Sequence, residues 1–251
     1  MGKQGWVYEK VNGKKYKFYY KNNEKVTDLT NILKLKKNGS NKMYIEVNRA
    51  AAVVTFYLYD SETKKYDIPI KSATVSVGRD VSTVAGAGAL NIYSSFTPIG
   101  NYSVCSNGAA VRYSLKPMHE PDGSTVYARW CTHIVGNVYF HAIAVHAQSH
   151  YALSSSSYNK LGGPASAGCI RMTVADAKWL YTYAPTGTKV SILKGNKAKP
   201  GPYGKPATIK ISGINYDPTD PDVPDSRKKK DYKAKKMTGY MKKNGTKVGY
   251  K

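Results

Sequence analysis

The part of the sequence that decides the fold begins with Met43-Tyr-Ile-Glu-Val-Asn48 and continues, after a short turn, with Val53-Val-Thr-Phe-Tyr-Leu-Tyr59. Both runs are rich in β-branched and aromatic residues, which favour strands. The short connection between them predicts a hairpin of two antiparallel strands.

More short strands follow at hairpin spacing, separated by segments that contain Gly, Asn, Asp and Ser. They are expected at Tyr66–Ile70, Ala73–Gly78, Pro98–Val104, Ala110–Tyr113, Val126–Thr132 and Val138–Val145. The pattern predicts a mostly β protein, built as an antiparallel β-sandwich or barrel.

One main helix stands out against the strands. Thr173-Val-Ala-Asp176 has the form of a capping box, and Val174, Ala177, Leu180 and Tyr181 fall on one face of the helix that would follow. Pro185 and Gly187 end that helix. Lys189–Leu193 then predicts a closing strand.

The composition excludes several classes of protein. With 41% hydrophobic residues among 251, the chain is too apolar for general disorder. The longest nearly apolar run, Ala50–Tyr59, is shorter than the roughly 20 residues that span a bilayer, so no membrane segment or signal peptide is expected in this chain. Three cysteines exclude a four-thiolate metal site. Since no phosphate loop or metal-ligand spacing occurs, we expect no cofactor and no metal.

The net charge of +23 is concentrated near the two ends. Residues 1–45 carry 11 basic and 3 acidic side chains, and residues 227–251 carry 11 and 1. A basic surface attracts polyanions, including anionic cell-wall polymers. The sequence contains no recognisable nucleic-acid module and no single basic stripe, so nucleic acid is not the expected partner.

The sequence divides into four regions. Residues 1–42 contain Asn12-Gly13 between aromatic runs, which predicts a type I′ hairpin. This hairpin resembles the aromatic repeats that attach proteins to bacterial walls, although a basic hairpin without a ligand is an equal alternative. Residues 43–194 form the expected main domain, and 195–226 a proline-rich extension along it. Residues 227–251 form a basic, mobile tail that could begin a second hairpin repeat.

The segment with the most chemical information reads Ser166-Ala-Gly-Cys-Ile-Arg-Met172. Gly168 permits a tight turn that exposes the Cys169 sulfur, and neighbouring N–H groups can face an oxyanion. A cysteine with a distant histidine base is typical of acyl transfer through a thioester. The upstream histidines are His133, His141, His146 and His150.

This segment resembles the Ser-His-Gly-Cys signature of L,D-transpeptidases with a YkuD-type catalytic domain. About 150 residues are similar to that family in order. They include Val75-Ser-Val-Gly78, Thr97-Pro-Ile-Gly100, Asn137-Val-Tyr-Phe-His141, Tyr158–Gly162, Asp176-Ala-Lys-Trp179 and Gly187-Thr-Lys-Val190.

The resemblance implies a role for each matching position. Cys169 would be the nucleophile and His141 its general base, with His146 as the alternative. Ser166 would bond within the motif, Gly168 would supply a backbone oxyanion donor together with Cys169, and Arg171 would order the loop. Ala167 stands where the family has histidine, which leaves the group that orients His141 unidentified.

The implied activity is a cysteine acyltransferase that forms 3→3 cross-links between peptidoglycan stem peptides and releases D-Ala from a tetrapeptide. Two alternatives remain: an L,D-carboxypeptidase that uses water as acceptor, and a non-catalytic wall-binding protein. The resemblance also implies a role in cell shape, sensitivity to carbapenems, and an extracytoplasmic or cell-wall location, with signal or anchor absent from this sequence. A disulfide between Cys105 and Cys131 stays open.

Overall fold

The computed structural model describes residues 2–37, 39–79, 82–84, 92–94, 96–105, 111–120 and 123–238. In these ranges the protein is mostly β, with three helices. The strands are β1 (Gly5–Val11), β2 (Lys14–Lys21), β3 (Glu24–Lys25), β4 (Met43–Asn48), β5 (Val53–Asp60), β6 (Lys65–Thr74), β7 (Val77–Gly78), β8 (Ser82–Val84), β9 (Ile92–Ser94), β10 (Gly100–Ser103), β11 (Arg112–His119), β12 (Thr125–Val135), β13 (Val138–Ala142), β14 (Pro164–Ser166), β15 (Ile170–Met172), β16 (Lys189–Leu193), β17 (Lys210–Ile211) and β18 (Met237–Thr238). The helices are α1 (Ser155–Asn159), α2 (Val174–Tyr183) and α3 (Asp225–Lys233).

The chain forms two compact units. The first contains Met1–Thr74, Ile99–Ala110 and Thr182–Pro206, and the second contains Val75–Pro98, Val111–Tyr181 and Ala207–Lys251.

The first unit begins with the expected hairpin. Asn12 and Gly13 have φ angles of 52° and 82°, as a type I′ turn requires, and join β1 to β2 in antiparallel register. The inner face of the hairpin carries Tyr16, Phe18 and Tyr20, which are buried in a cluster with Tyr57 of β5. Aromatic burial therefore attaches the hairpin to the following sheet.

That sheet has the strand order β10-β16-β4-β5-β6. The β4–β5 pair is antiparallel, as predicted, but β16 pairs with β4 in parallel register. The predicted mostly β fold is confirmed, and within it this sheet combines antiparallel pairs with one parallel pair. A parallel pair requires a long crossover connection, and more than 130 residues separate these two strands in the sequence.

The second unit contains a sheet of order β11-β12-β13-β15. The first three strands form antiparallel pairs, whereas β13 and β15 are parallel. β7 pairs with β14. Thus β15, which follows Cys169 directly, is held beside the strand that carries His141.

The C-terminal residues form more structure than expected. Residues 225–233 are helical and 237–238 form a strand, so the predicted tail is wrong for residues 227–238. Ile209, Ile211, Ile214, Tyr216, Val223 and Met237 are buried in a cluster with Tyr158 and neighbouring apolar residues. Residues 239–251, the rest of the tail that could begin a second hairpin repeat, lie outside the described residues, as does Ala110 of a predicted strand. None of the helices in the described ranges has the length and apolarity needed to cross a membrane.

Candidate active site

Ser166 organises the turn that carries Cys169. Its hydroxyl donates to the carbonyl oxygen of Cys169 at 2.6 Å and accepts from the N–H of Gly168 at 3.1 Å. Ser166 is completely buried. A local side-chain bond of this kind fixes a tight turn in the chain, and both bonds of Ser166 stay within the motif.

Gly168 occupies a conformation that other residues avoid. Its φ angle is +130°, and a Cβ atom at this position would lie 3.2 Å from the carbonyl oxygen of Phe96. Its carbonyl accepts from Thr97 Oγ1 at 2.7 Å, and the same hydroxyl accepts from Gly78 N–H. Because the Gly168 N–H already donates to Ser166, the structure does not support the expected oxyanion-donor role of Gly168.

The sulfur of Cys169 lies against the backbone of the neighbouring strand. The thiol donates to the carbonyl of Asn137 and accepts from the N–H of Tyr139, both at 3.4 Å. Cys169 is partly exposed and packs against a buried cluster that includes Tyr139 and Cys131. Desolvation raises its pKa, with smaller opposing contributions from the Tyr139 N–H bond and the Arg171 charge. This direction favours the neutral thiol over the thiolate.

His141 lies on the strand that holds the sulfur. The parallel register pairs His141 with Arg171, so one face of β13 and β15 carries Tyr139, His141 and Arg171, and Cys169 directly precedes β15. Its Nδ1 is 2.5 Å from the carbonyl oxygen of Ala142, which can only accept, so Nδ1 carries the proton. The imidazole is 1% exposed, and burial, together with the Arg171 charge, lowers its pKa to about 3.

The Ala142 carbonyl is therefore the group that orients His141. The sequence could not reveal it because every residue except proline has the same backbone groups, and no side chain marks the position.

His146 lies in a different environment from His141. It is exposed, and it follows the end of β13 by four residues. Because β13 ends at Ala142, strand alternation does not determine the direction of the His146 side chain. The structure brings His141, and not His146, to the strand that contacts the Cys169 sulfur.

Arg171 connects the motif to two other segments. Its backbone forms two hydrogen bonds with Ser76, of 2.8 and 2.9 Å. Its guanidinium donates to the carboxylate of Glu120 at 3.2 Å and to the carbonyl of Ala165 at 3.4 Å. This agrees with the loop-ordering role that the resemblance implied.

Sequence reasoning missed the contribution of the β11–β12 hairpin. Met118 and Ala128 from its two strands pack in the cluster that contains Cys169. Lys116, on the same hairpin, lies over the rings of Tyr113 and Tyr139, at 4.8 and 5.7 Å from their centroids. Their only signal in the sequence was strand patterning, which does not indicate proximity to a distant cysteine.

The helix that follows the motif is capped twice. The N–H of Asp176 donates to Thr173 Oγ1, which is the N-cap bond of the predicted capping box, and the Thr173 hydroxyl donates to the Asp176 carboxylate. The N–H of Val174 also donates to Asp217 at 2.7 Å, and that of Ala175 to Thr219 at 3.1 Å. Burial raises the pKa of Asp217 to about 6. The C-terminal extension thus supports the start of α2.

Two other groups of polar residues have structural explanations. Cys131 is buried and is not part of a disulfide, so the pairing with Cys105 that the sequence left open does not form. His150, Asp220 and Asp222 have ligand atoms within 4.8 Å of one another. The guanidinium of Arg129 already forms ion pairs with both carboxylates, so this arginine supplies the positive charge at the cluster.

Comparison with known proteins gives one match to a protein family and several to individual proteins. Residues 42–192 match the YkuD family, described as an L,D-transpeptidase catalytic domain. The YciB protein of Bacillus subtilis strain 168, named as an L,D-transpeptidase, is 37% identical over 71 residues. That match covers 28% of this chain and only about a third, 34%, of the relative.

Solved structures with weaker similarity include two L,D-transpeptidases. The Mycobacterium smegmatis protein is 14% identical, with 76% of this chain and 67% of that chain covered and a TM-score of 0.42. The LdtMt1 enzyme, solved in complex with imipenem, is 13% identical, with coverage of 76% and 78% and a TM-score of 0.41.

Proposed function

Because the chain belongs to the YkuD family of L,D-transpeptidase catalytic domains, we propose that it cross-links peptidoglycan stem peptides through a thioester on Cys169. The donor is a tetrapeptide stem, and the products are a 3→3 cross-link and free D-Ala. The acceptor is the side-chain amine of a second stem.

In the first step, His141 removes the thiol proton through Nε2, the ring nitrogen left free when Nδ1 donates to Ala142. The sulfur attacks the carbonyl carbon of the third stem residue. The C–N bond to D-Ala then breaks, and the proton passes from His141 to the leaving amine. The main-chain N–H of Cys169 stabilises the oxyanion.

In the second step, the acceptor amine attacks the thioester carbonyl. His141 takes a proton from that amine, the C–S bond breaks, and the thiolate regains the proton. One amide bond is broken and one is formed, so the reaction needs no external energy source. Water in place of the amine gives a carboxypeptidase.

The observation that carries this proposal is the position of the Cys169 sulfur on β13. It contacts the N–H of Tyr139, two residues before His141 on β13, and the carbonyl of Asn137, which directly precedes that strand. A buried structural cysteine would have no access for a substrate, whereas Cys169 is partly exposed. This combination favours a catalytic thiol over a non-catalytic wall-binding domain.

Incubation with disaccharide-tetrapeptide, followed by mass spectrometry, tests the proposal. We expect a cross-linked dimer that has lost one D-Ala, and no product from Cys169→Ala. Cys105→Ala is the matched control, since that cysteine is buried. A Cys169→Ala protein that still forms dimer would overturn the assignment, and tripeptide as sole product would identify a carboxypeptidase.

The substrate also implies where the protein acts. Peptidoglycan stem peptides lie outside the cytoplasmic membrane, so we propose an extracytoplasmic or cell-wall location. We further propose that the basic terminal regions contact anionic wall polymer, supported by the concentration of positive charge there.

A further inference from the structure

Lys116 extends from the β11–β12 hairpin toward the candidate active site. It is paired across the hairpin with Ala128, which is fully buried in the cluster that contains Cys131, Tyr139 and Cys169. Directly opposed residues on antiparallel strands have side chains on the same face. Lys116 and Ala128 therefore share the face that packs toward Cys169.

Two aromatic rings hold the Lys116 ammonium. It lies 4.8 Å from the Tyr113 ring centroid and 5.7 Å from that of Tyr139, and the Tyr139 N–H bonds the Cys169 sulfur. Cation–π contacts of this kind fix the position of a lysine without neutralising its charge. The ammonium is thus held at the ring of Tyr139, which packs in the same cluster as Cys169, and it keeps its capacity to donate.

Among the described charged side chains around the thiol, Lys116 is the one without an oppositely charged partner. Arg171, Glu120 and Lys116 are the charged groups that act on Cys169. Arg171 and Glu120 pair with each other at 3.2 Å. In the part of the chain that the structure describes, Lys116 has no ion pair or hydrogen bond of its own. The partly buried wall of the site therefore carries one uncompensated positive charge.

We propose that Lys116 recognises the terminal carboxylate of the donor peptide, which makes it a specificity-determining residue for stems whose leaving residue is the last one. This inference rests on the proposed function. In such a stem, the α-carboxylate carbon lies about 2.5 Å from the scissile nitrogen, since only N–Cα and Cα–C bonds separate them. A cation beside the thiol is close to that carboxylate when the carbonyl is close to the sulfur.

If the proposal is correct, wild-type protein prefers a stem with a free terminal carboxylate over one with a terminal carboxamide. Disaccharide-tetrapeptide with a free terminal carboxylate should react with a kcat/KM about 10- to 100-fold higher than the same compound with a terminal carboxamide, because a charge-assisted bond is lost. The difference should be mainly in KM, since the carboxylate is bound before and during the reaction.

Two substitutions test whether Lys116 causes this preference for the free carboxylate. Lys116→Met keeps a long apolar side chain and removes the charge, and should reduce the acid-to-amide ratio close to one. Lys116→Arg should retain it. Lys42→Met is the matched control, because Lys42 likewise lies over a tyrosine ring, that of Tyr59, but belongs to the first unit. It should leave the ratio unchanged.

The outcomes separate this inference from the proposed function. Equal use of acid and amide by wild-type protein, or an unchanged ratio in Lys116→Met, overturns the role of Lys116 while the cross-linking activity stands. Absence of any Cys169 acylation with either compound overturns both. If Lys116→Met fails to unfold cooperatively on heating, the wild-type acid-to-amide comparison still decides the inference.

Discussion

The hydroxyl of Ser166 donates to the carbonyl oxygen of Cys169 across a distance of 2.6 Å, and so closes the turn that presents the thiol. The hydroxyl oxygen of Ser166 also accepts from the N–H of Gly168. One side chain therefore satisfies two main-chain groups of the motif. The geometry of the thiol therefore depends on a residue that takes no part in bond making.

Ser166→Ala should reduce kcat of cross-linking and lower stability together. It leaves the Gly168 N–H and the Cys169 carbonyl without their partner in a buried turn, at a cost of about 1–3 kcal/mol. Chemical unfolding and steady-state kinetics measure the two effects. Ser156→Ala, at an exposed position, should change neither. Full activity in Ser166→Ala would show that the turn keeps its geometry unaided.

The choice between the two candidate bases can be tested by matched substitutions. His141→Gln should lower kcat/KM by about 10²- to 10⁴-fold, the usual contribution of a general base. His146→Gln should leave kcat/KM close to wild type because this side chain is exposed beyond the end of β13. The reverse pattern would assign the base to His146.

The reactivity of Cys169 toward iodoacetamide should increase with pH up to and beyond the ordinary thiol pKa of about 8.5. Burial raises the thiol pKa and lowers that of His141 to about 3, so at neutral pH both groups are uncharged. A thiolate–imidazolium pair would instead give a reactive plateau below pH 7. Rate constants measured from pH 5 to 10 distinguish the two, with Cys169→Ala reporting background labelling.

Much of this arrangement could be predicted from the sequence. β4 and β16 begin and end as predicted, because their β-branched runs have clear turn residues on both sides. The capping box at Thr173 could be predicted from the sequence because its bonds span only three residues. Mostly β structure followed from such local patterns.

The parts that could not be predicted depend on long-range contacts. The parallel pairing of β13 with β15 joins segments that are about 30 residues apart, and alternation within each strand does not specify its partner. Residues 225–233 look like a solvated charge run, yet Lys228 and Asp231 are buried there by tertiary contacts. Glu120 and Lys116 reach the site only through the fold.

Gly168→Ala should abolish most cross-linking activity while Gly163→Ala, three residues before Ser166, should be tolerated. A Cβ at position 168 meets the Phe96 carbonyl in a conformation at φ +130°, whereas a Cβ at position 163 meets no atom within 4 Å. Product formation and thermal unfolding of the two variants provide the comparison. Equal activity would mean that the turn can relax around an added methyl group.

Electrostatic attachment of the basic terminal regions to wall polymer should weaken as salt is raised, with log affinity falling linearly against log salt concentration, by analogy with counterion release from polyanions. Lys10, Lys14 and Lys15 are exposed on the N-terminal hairpin, so replacing all three by Gln should reduce the slope. Replacing the exposed Lys194, Lys197 and Lys199 removes the same charge from a segment outside the basic ends and should change the slope less.

Co-sedimentation with purified cell walls measures the affinity. Binding indifferent to salt would instead indicate recognition through aromatic contacts such as those of Trp6, which is 40% exposed on the same hairpin.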